Sequence, residues 1–337
     1  MLNYIMRRAV AMPFILLGIV TLAFLLTTIT KGDPLTAIVS ERQMNNPEIV
    51  AAAKARWGLD RSLPERYVIY VANLVTGDMG TSFVTRRPVS RDIAARLPAT
   101  LELVIAAMAI GSTTGILLGL LAAYYRDSVI DQTARLFSLF GSSVPIFWLG
   151  LALLFVFSVH YHLLPGPGRL DARLTPPPSL TGFMVVDTLL AGNPAAFKDA
   201  LLHLILPSLV LGWTVAGSIS RIVRANMLEI MEREFILTAR AKGAGELRVV
   251  FRHALRNILV PVLTVLGYTF AYLITGAVLT EAVFGWPGIG SYAVIAARSL
   301  DFPAIIGVTI VGGMMFLITN LLTDIAYVFA NPRVRLN

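Results

Sequence analysis

Histidines, serines, carboxylates and lysines are the residues of this chain whose spacing could carry chemistry, and each set stops short of a site. His160 and His162 stand two apart, so on a strand-like segment both imidazoles would face one way as metal ligands. Asp171 is the only close carboxylate, however, and no cysteine or third histidine completes the set. Ser142, Ser143 and Ser218 lie in apolar stretches, where a buried serine beside a base would hydrolyse a membrane substrate. His203 is the only histidine within such a stretch, and no hydrolase motif surrounds it. Glu102 and Asp324 border apolar stretches, where a carboxylate could relay protons, yet at those edges both are expected to reach interfacial water. None of Lys31, Lys54, Lys198 and Lys242 follows a glycine, so a phosphate-binding Gly-x-x-x-x-Gly-Lys-Ser/Thr loop is absent. The chain is therefore expected to hold no catalytic residue, cofactor or metal ion of its own, and not to be an enzyme.

Composition says what surrounds these residues. Of 337 residues 56% are hydrophobic and only 14% charged, with a mean hydropathy of +0.73. Soluble domains carry about a quarter charged residues, so a soluble enzyme is excluded. The formal charge of +8 could suggest nucleic acid, but the bases lie around apolar segments and form no aromatic-interleaved stripe, so they read as topology signals and no nucleic-acid partner is expected. With no cysteine, disulfides, thiolate metal sites and cysteine catalysis are ruled out.

Six stretches lack Asp, Glu, Lys and Arg: 9–30, 103–125, 136–159, 201–220, 257–280 and 302–323. Each is 20 to 24 residues long, enough as a helix to cross about 30 Å of hydrocarbon. Alternating barrel strands are not this uniformly apolar, so the fold class is an all-α membrane protein with six transmembrane helices in a lipid bilayer. The first stretch exceeds a signal-peptide core, and Thr28-Ile29-Thr30-Lys31 has no small-residue cleavage pattern, so it reads as a retained helix. Fourteen bases fall on each side when all are counted, but long loops translocate largely regardless of charge. Without the 72-residue first loop the count is 14 to 4 in favour of the side carrying the termini, which are therefore cytoplasmic. The chain divides into an N-terminus and first span over 1–30, a long extracytoplasmic loop over 31–102, and a core of five spans over 103–337 with a cytoplasmic loop at 221–256.

The first loop reads as short helices, starting at Asn46-Pro47 and at Leu63-Pro64. The outer segment from His160 to Ala200, with Pro165-Gly166-Pro167-Gly168 and Pro176-Pro177-Pro178, reads as rigid turns. Together they could make a platform for an outside partner. In the cytoplasmic loop Glu234 to Lys242 reads as a short helix ended by Gly243, which takes the left-handed conformation that helix ends need. After Gly245, Leu247, Val250, Phe251, Ala254 and Leu255 recur at helical spacing beside Arg248, Arg252 and Arg256, a basic amphipathic helix. Either this loop lies on anionic lipid or its helix on a turn is a docking element. Gly111, Gly115 and Gly119 form overlapping small-residue repeats that let helix backbones approach closely. Pro145, Pro207 and Pro261 break helix hydrogen bonds and could form hinges or line a cavity.

Thr238-Ala-Arg-Ala-Lys-Gly243, followed by Arg252-His-Ala-Leu-Arg-Asn257 and Pro261, resembles the cytoplasmic loop of permease subunits of ABC importers in the peptide and nickel branch. The resemblance extends along the chain through Gly32-Asp33-Pro34, Gly77-Asp78-Met79-Gly80, Arg87-Pro88-Val89, Pro145-Ile146-Phe147-Trp148, Phe284-Gly-Trp-Pro-Gly-Ile-Gly290 and Asn331-Pro-Arg-Val-Arg335. Leu180-Thr-Gly-Phe-Met-Val-Val-Asp187 and His203-Leu-Ile-Leu-Pro207 look like the B-type subunit of dipeptide permeases. It departs at Leu237-Thr238-Ala239, where the general importer loop has Glu-Ala-Ala.

The resemblance implies a type I importer permease of a bacterial inner membrane, with Glu234, Phe235, Thr238, Ala239, Arg240, Ala241, Lys242 and Gly243 as a coupling helix seated in a cytoplasmic ATPase. Implied partners are a second homologous permease subunit, two ATPase subunits that bind ATP and Mg, and an extracytoplasmic substrate-binding protein received near Trp286 and Pro287. Pro145, Phe147, Trp148, Trp213, Tyr268 and Tyr272 are candidates for the gate or pathway. Dipeptides are the implied cargo, with oligopeptides, glutathione, opines or nickel as alternatives within the class. An ion-coupled secondary transporter is a further alternative from a different class, although neither inverted repeats nor midplane charges are visible.

Overall fold

The computed structural model describes residues 2–29, 35, 39, 43–57 and 59–330. Lys31, the Gly32-Asp33-Pro34 motif and Asn331-Pro-Arg-Val-Arg335 lie outside the described residues. Among the described residues the chain is helical, and its one β-feature is an isolated bridge between Thr81 and Pro88. The helices are α1 (Leu2–Ile29), α2 (Pro47–Trp57), α3 (Leu63–Val75), α4 (Val89–Tyr124), α5 (Val129–Ser143), α6 (Ile146–Leu154), α7 (Met184–Leu190) and α8 (Pro194–Met231). They continue as α9 (Glu234–Ala241), α10 (Leu255–Gly276), α11 (Val278–Val283), α12 (Ile289–Arg298) and α13 (Phe302–Ala330). Five helical stretches are long and apolar enough to cross a membrane, and the bent pair α5–α6 brings the number to six when taken as one span.

That pair departs from the single straight span expected over 136–159. Pro145 disfavours the helical region for the residue before it, and Val144 is extended at φ −76°, ψ 127°. The two helices meet at 102°. Several helices also outrun their charge-free stretches: α4 starts at Val89 rather than Leu103, and α8 runs for 38 residues. Membrane composition ends where a helix leaves the hydrocarbon, but its backbone hydrogen bonding does not have to.

Two compact units form. One comprises Leu101–Trp286 and the chain from Ile318 onward, the other Leu2–Thr100 and Pro287–Leu317. In the first, α8 is the central helix. Gly111, Gly115 and Gly119 of α4 face it so closely that a Cβ would lie 2.5 Å from the Gly212 carbonyl oxygen, 2.8 Å from that of Ala216 and 2.7 Å from that of Ser220. The glycine repeat is thus a packing seam. On α5, Phe137 packs against Trp213 with ring centroids 4.1 Å apart and planes tilted by 44°, and Ser138 sits opposite Gly217. One face of α6, through Ile146, Leu149 and Leu153, packs on Leu206, Val210 and Phe284.

In the second unit α3 lies on α1. The Thr21 and Tyr67 hydroxyls share a 2.6 Å hydrogen bond, and the Tyr67 ring meets Phe24 edge-on. Val20, Ala23, Phe24, Ile306 and Ile310 form one core. Val89, Ile93, Ile289, Tyr292, Ala296 and Ala304 form another, and a Cβ on Gly307 would lie 2.5 Å from Val89.

Candidate functional site

α8 ends at Met231, and after Glu232 and Arg233 the chain turns directly into α9. The termination of α9 is complete. The N–H of Gly243 donates to the carbonyl of Arg240 at 2.9 Å, and that of Ala244 to the carbonyl of Ala239 at 3.1 Å. Gly243 is left-handed at φ +80°, as expected, so two of the last carbonyls are satisfied by the Schellman arrangement. No neighbouring atom lies within 4 Å of where a Gly243 Cβ would be, so the requirement for glycine is conformational rather than spatial.

Ile236 anchors this helix, fully buried, and α9 rests against the stretch Val249–Ala254. Phe235 and Leu237 on either side are exposed, Leu237 at 56%. Arg240 reaches forward to Glu246 with two prongs, Nε to Oε1 at 2.9 Å and Nη2 to Oε2 at 3.1 Å. Thr238 Oγ1 donates to the Glu234 carbonyl at 3.0 Å. Ala239, Ala241 and Lys242 complete the short helix and its cap.

After Gly245 the expected amphipathic α-helix is replaced by a single α-turn, Glu246–Arg248, and a π-helix, Val249–Ala254. The i→i+5 bonding brings Val249 and Ala254 onto one side, and both are fully buried with Val250 nearby. Leu247 and Phe251, which an α-helical period would have buried, are exposed.

A buried ion pair ties the α4–α5 turn to α8. Asp131, whose side chain is fully buried, accepts from Arg224 Nε at 2.6 Å and Nη2 at 2.7 Å. Arg135 lies 3.4 Å from the same carboxylate, and the Asp127 N–H donates to it at 3.1 Å. Sequence reasoning missed this pair. Ser128 capping the N–H of Asp131 at 3.4 Å is a local signal that could have located the helix start, but nothing local points 93 residues ahead to Arg224.

Glu102 was expected at interfacial water, but it is buried: Arg169 Nη2 donates to it at 2.5 Å and the Val185 N–H at 2.8 Å. The Arg169 guanidinium also lies 5.4 Å from the centroid of the Trp286 ring. Trp286 is only 1% exposed, so of the Trp286-Pro287 pair only Pro287 reaches the surface. The segment after α6 contains helix α7 besides the expected turns. Burial works against the Asp187 carboxylate, yet the Thr181 hydroxyl and the N–H groups of Thr181 and Gly182 donate to it and hold its pKa below the ordinary value. The Arg173 side chain does the same for Asp171. His160 ends a π-helix and His162 is left-handed at φ +49°, so the strand that would have aimed both imidazoles one way does not form. Among the described residues no cluster of three or more His, Asp or Glu could hold a metal ion.

In the second unit, Asp301 accepts from Ser82 Oγ at 2.5 Å and the Val84 N–H at 3.2 Å. Asp92 accepts from Thr85 Oγ1 at 2.5 Å and Tyr292 Oη at 3.3 Å. Burial and the Asp92 charge push the Tyr292 phenol up to about 12. Of the gate candidates, Pro145, Phe147 and Trp148 are exposed at the start of α6, Trp148 at 58%, on the side away from its packed face. Trp213 is half-buried against α5. Tyr268 and Tyr272 stack on the exposed side of α10 with centroids 6.5 Å apart.

Described residues that are helical throughout apart from one isolated bridge, with long apolar spans and a short capped helix after the central span, define a multi-pass membrane protein with a helix outside its apolar spans. Residues 115–336 match the family described as binding-protein-dependent transport system inner membrane component, and residues 1–104 match the N-terminal family of the same membrane components. The chain belongs to this family of inner-membrane transport components. It is 43% identical over 335 residues to the di/tripeptide transport system permease protein DppB of Pseudomonas aeruginosa, covering 99% of each chain. It is 40% identical over 337 residues to the dipeptide transport system permease protein DppB of Escherichia coli K12, again covering 99% of each. Among solved structures, an inward-facing MetNI methionine ABC transporter chain aligns with a TM-score of 0.49 at 16% identity, over 69% of this chain and 93% of that one.

Proposed function

We propose that the chain is one permease half of an ATP-driven, binding-protein-dependent importer of dipeptides, with α9 as the helix on which the ATPase acts. The observation that carries this reading is α9 itself: a helix with a closed Schellman end, one buried anchor at Ile236, and Phe235 and Leu237 left in water. Exposed apolar side chains on a rigid short helix suit a partner's cleft. α9 follows α8 after a two-residue turn, so a push on α9 is delivered along a helix seated in the membrane. Glu234, Phe235, Thr238, Ala239, Arg240, Ala241, Lys242 and Gly243 form the coupling surface. ATP and Mg belong to two partner ATPase subunits, since this chain has no phosphate-binding loop.

A second permease half completes the pathway. Pro145, Phe147, Trp148, Tyr268 and Tyr272 offer exposed surface to it or to cargo, and Trp213 supports α5 from inside. The binding protein docks outside, with Pro287 at the surface and Trp286 held in place by Arg169. Dipeptide cargo rests on the two similar permeases.

The test is uptake of a labelled dipeptide into proteoliposomes holding this chain with the permease, ATPase and binding protein encoded beside it. Accumulation that needs both internal ATP and the binding protein is expected. Uptake by this chain alone, driven by a proton gradient, would overturn the reading. Gly243→Asp should leave the protein in the membrane but abolish transport and weaken ATPase association; normal uptake by that variant would count against the lever.

A further inference from the structure

Two cavities in the unit of Leu2–Thr100 and Pro287–Leu317 have no part in the transport reading. The first, about 210 Å³, is lined on its polar side by Arg61, Arg66, Tyr70 and Asn73. The second, about 320 Å³, is lined almost wholly by apolar side chains, including Leu22, Leu26, Leu300 and Ile305. Thr27 and Phe302 line both, so the cavities are neighbours.

The polar cavity is short of negative charge. Among the described residues neither Arg61 nor Arg66 has an ion-pair partner, and burial lowers the pKa of Arg66. The Tyr70 hydroxyl is buried with no hydrogen-bond partner. Asp78, the acid whose charge reaches Tyr70, accepts from the Gly80 N–H at 2.8 Å. An exposed Arg61 at the mouth, a half-buried Arg66 and the buried, unpartnered Tyr70 hydroxyl together suit an anion. The apolar neighbour narrows the ligand. Thr27 lies two residues before the end of α1, where a membrane span meets the headgroup layer, and the groove of Leu22 and Leu26 runs along that span. A cationic pocket at headgroup depth beside an apolar groove matches a molecule with a phosphate head and a hydrocarbon tail.

We propose that the two cavities form one site for an anionic phospholipid, its phosphate held by Arg61, Arg66 and Tyr70 and one acyl chain lying in the groove between α1 and α13. A free phosphate would satisfy only the first cavity.

Native mass spectrometry of the full chain, purified in detergent and stripped of lipid, tests this by titration with phosphatidylglycerol, phosphatidylethanolamine and inorganic phosphate. One phosphatidylglycerol per chain is expected, bound roughly tenfold more tightly than either alternative. Arg61→Gln with Arg66→Gln should weaken it by about tenfold, and Tyr70→Phe, which keeps the ring in place, by about threefold. Leu26→Trp, at an exposed groove position, should lower lipid binding without changing phosphate binding. Equal phosphatidylglycerol binding by the wild type and the double arginine variant would overturn the proposal. So would inorganic phosphate binding as tightly as the lipid, or a groove variant that binds lipid unchanged.

Discussion

α8 and α9 are consecutive helices held in opposite ways. α8 is gripped along its length: the glycines of α4 bring backbone against backbone, α5 packs at Gly217 and Trp213, and Asp131 clamps Arg224 toward its end. α9 is held by one buried isoleucine, a backbone cap and an exposed ion pair, with its large side chains on either side of Ile236 in solvent. A helix fixed on several faces moves as a body, whereas one fixed at a single face keeps the rest for another molecule. Under the function proposed above, the contrast is that of a shaft and the foot on which an ATPase would act.

Breaking the shaft should cost the most. Asp131→Ala leaves Arg224 without its carboxylate partners in a largely buried position, a loss of about 3–5 kcal/mol, measurable as a lower melting temperature in detergent and lower yield in the membrane. An unchanged melting temperature would mean that the pair does not anchor α8. Gly111→Ala drives a Cβ to within 2.5 Å of the Gly212 carbonyl oxygen. It should destabilise by about 1–3 kcal/mol as the helices separate, with Gly243→Ala, where no neighbour is near, costing only about 1 kcal/mol of backbone strain. The same thermal assay compares them directly. The smallest effect is expected at Arg240→Gln: its pair with Glu246 is solvent-exposed, so stability should change by less than about 1 kcal/mol. Stimulation of the ATPase should nevertheless fall, because the turn after α9 loses its tie. A large stability loss there would erase the distinction between the two helices.

Much of this contrast could be read along the chain, for identifiable reasons. Charge-free stretches marked where hydrocarbon surrounds the helices, because desolvating a charge there is costly. Gly243 announced the end of α9, since a left-handed residue is needed at that point whatever the tertiary context. The glycine seam of α4 was legible for the same local reason, although which helix it faced was not. Other features depend on partners distant in sequence. The Asp131–Arg224 and Glu102–Arg169 pairs join residues 93 and 67 positions apart, so no spacing rule finds them. The π-helix at Val249–Ala254 was hidden because an α-helical period accounts equally well for Val250 and Ala254; it fails at Leu247 and Phe251, which are exposed, and at Val249, which is buried. The helical start of α4 at Val89 was masked by Arg91, Asp92 and Arg96; the buried Asp92 is accommodated there only by partners such as Thr85, Tyr292 and Arg96, most of them distant in sequence or outside the helix period.

The most direct test of the central claim uses the absence of cysteine from the chain. A single Thr238→Cys variant of the assembled transporter, treated with a short thiol-to-amine cross-linker, reports what α9 touches. Cross-linking to the ATPase subunit, with a yield that changes when ATP is bound, is the predicted result. A transporter that still accumulates dipeptide while Cys at 238, 235 and 237 each remain uncross-linked and freely reactive toward a water-soluble maleimide would contradict it.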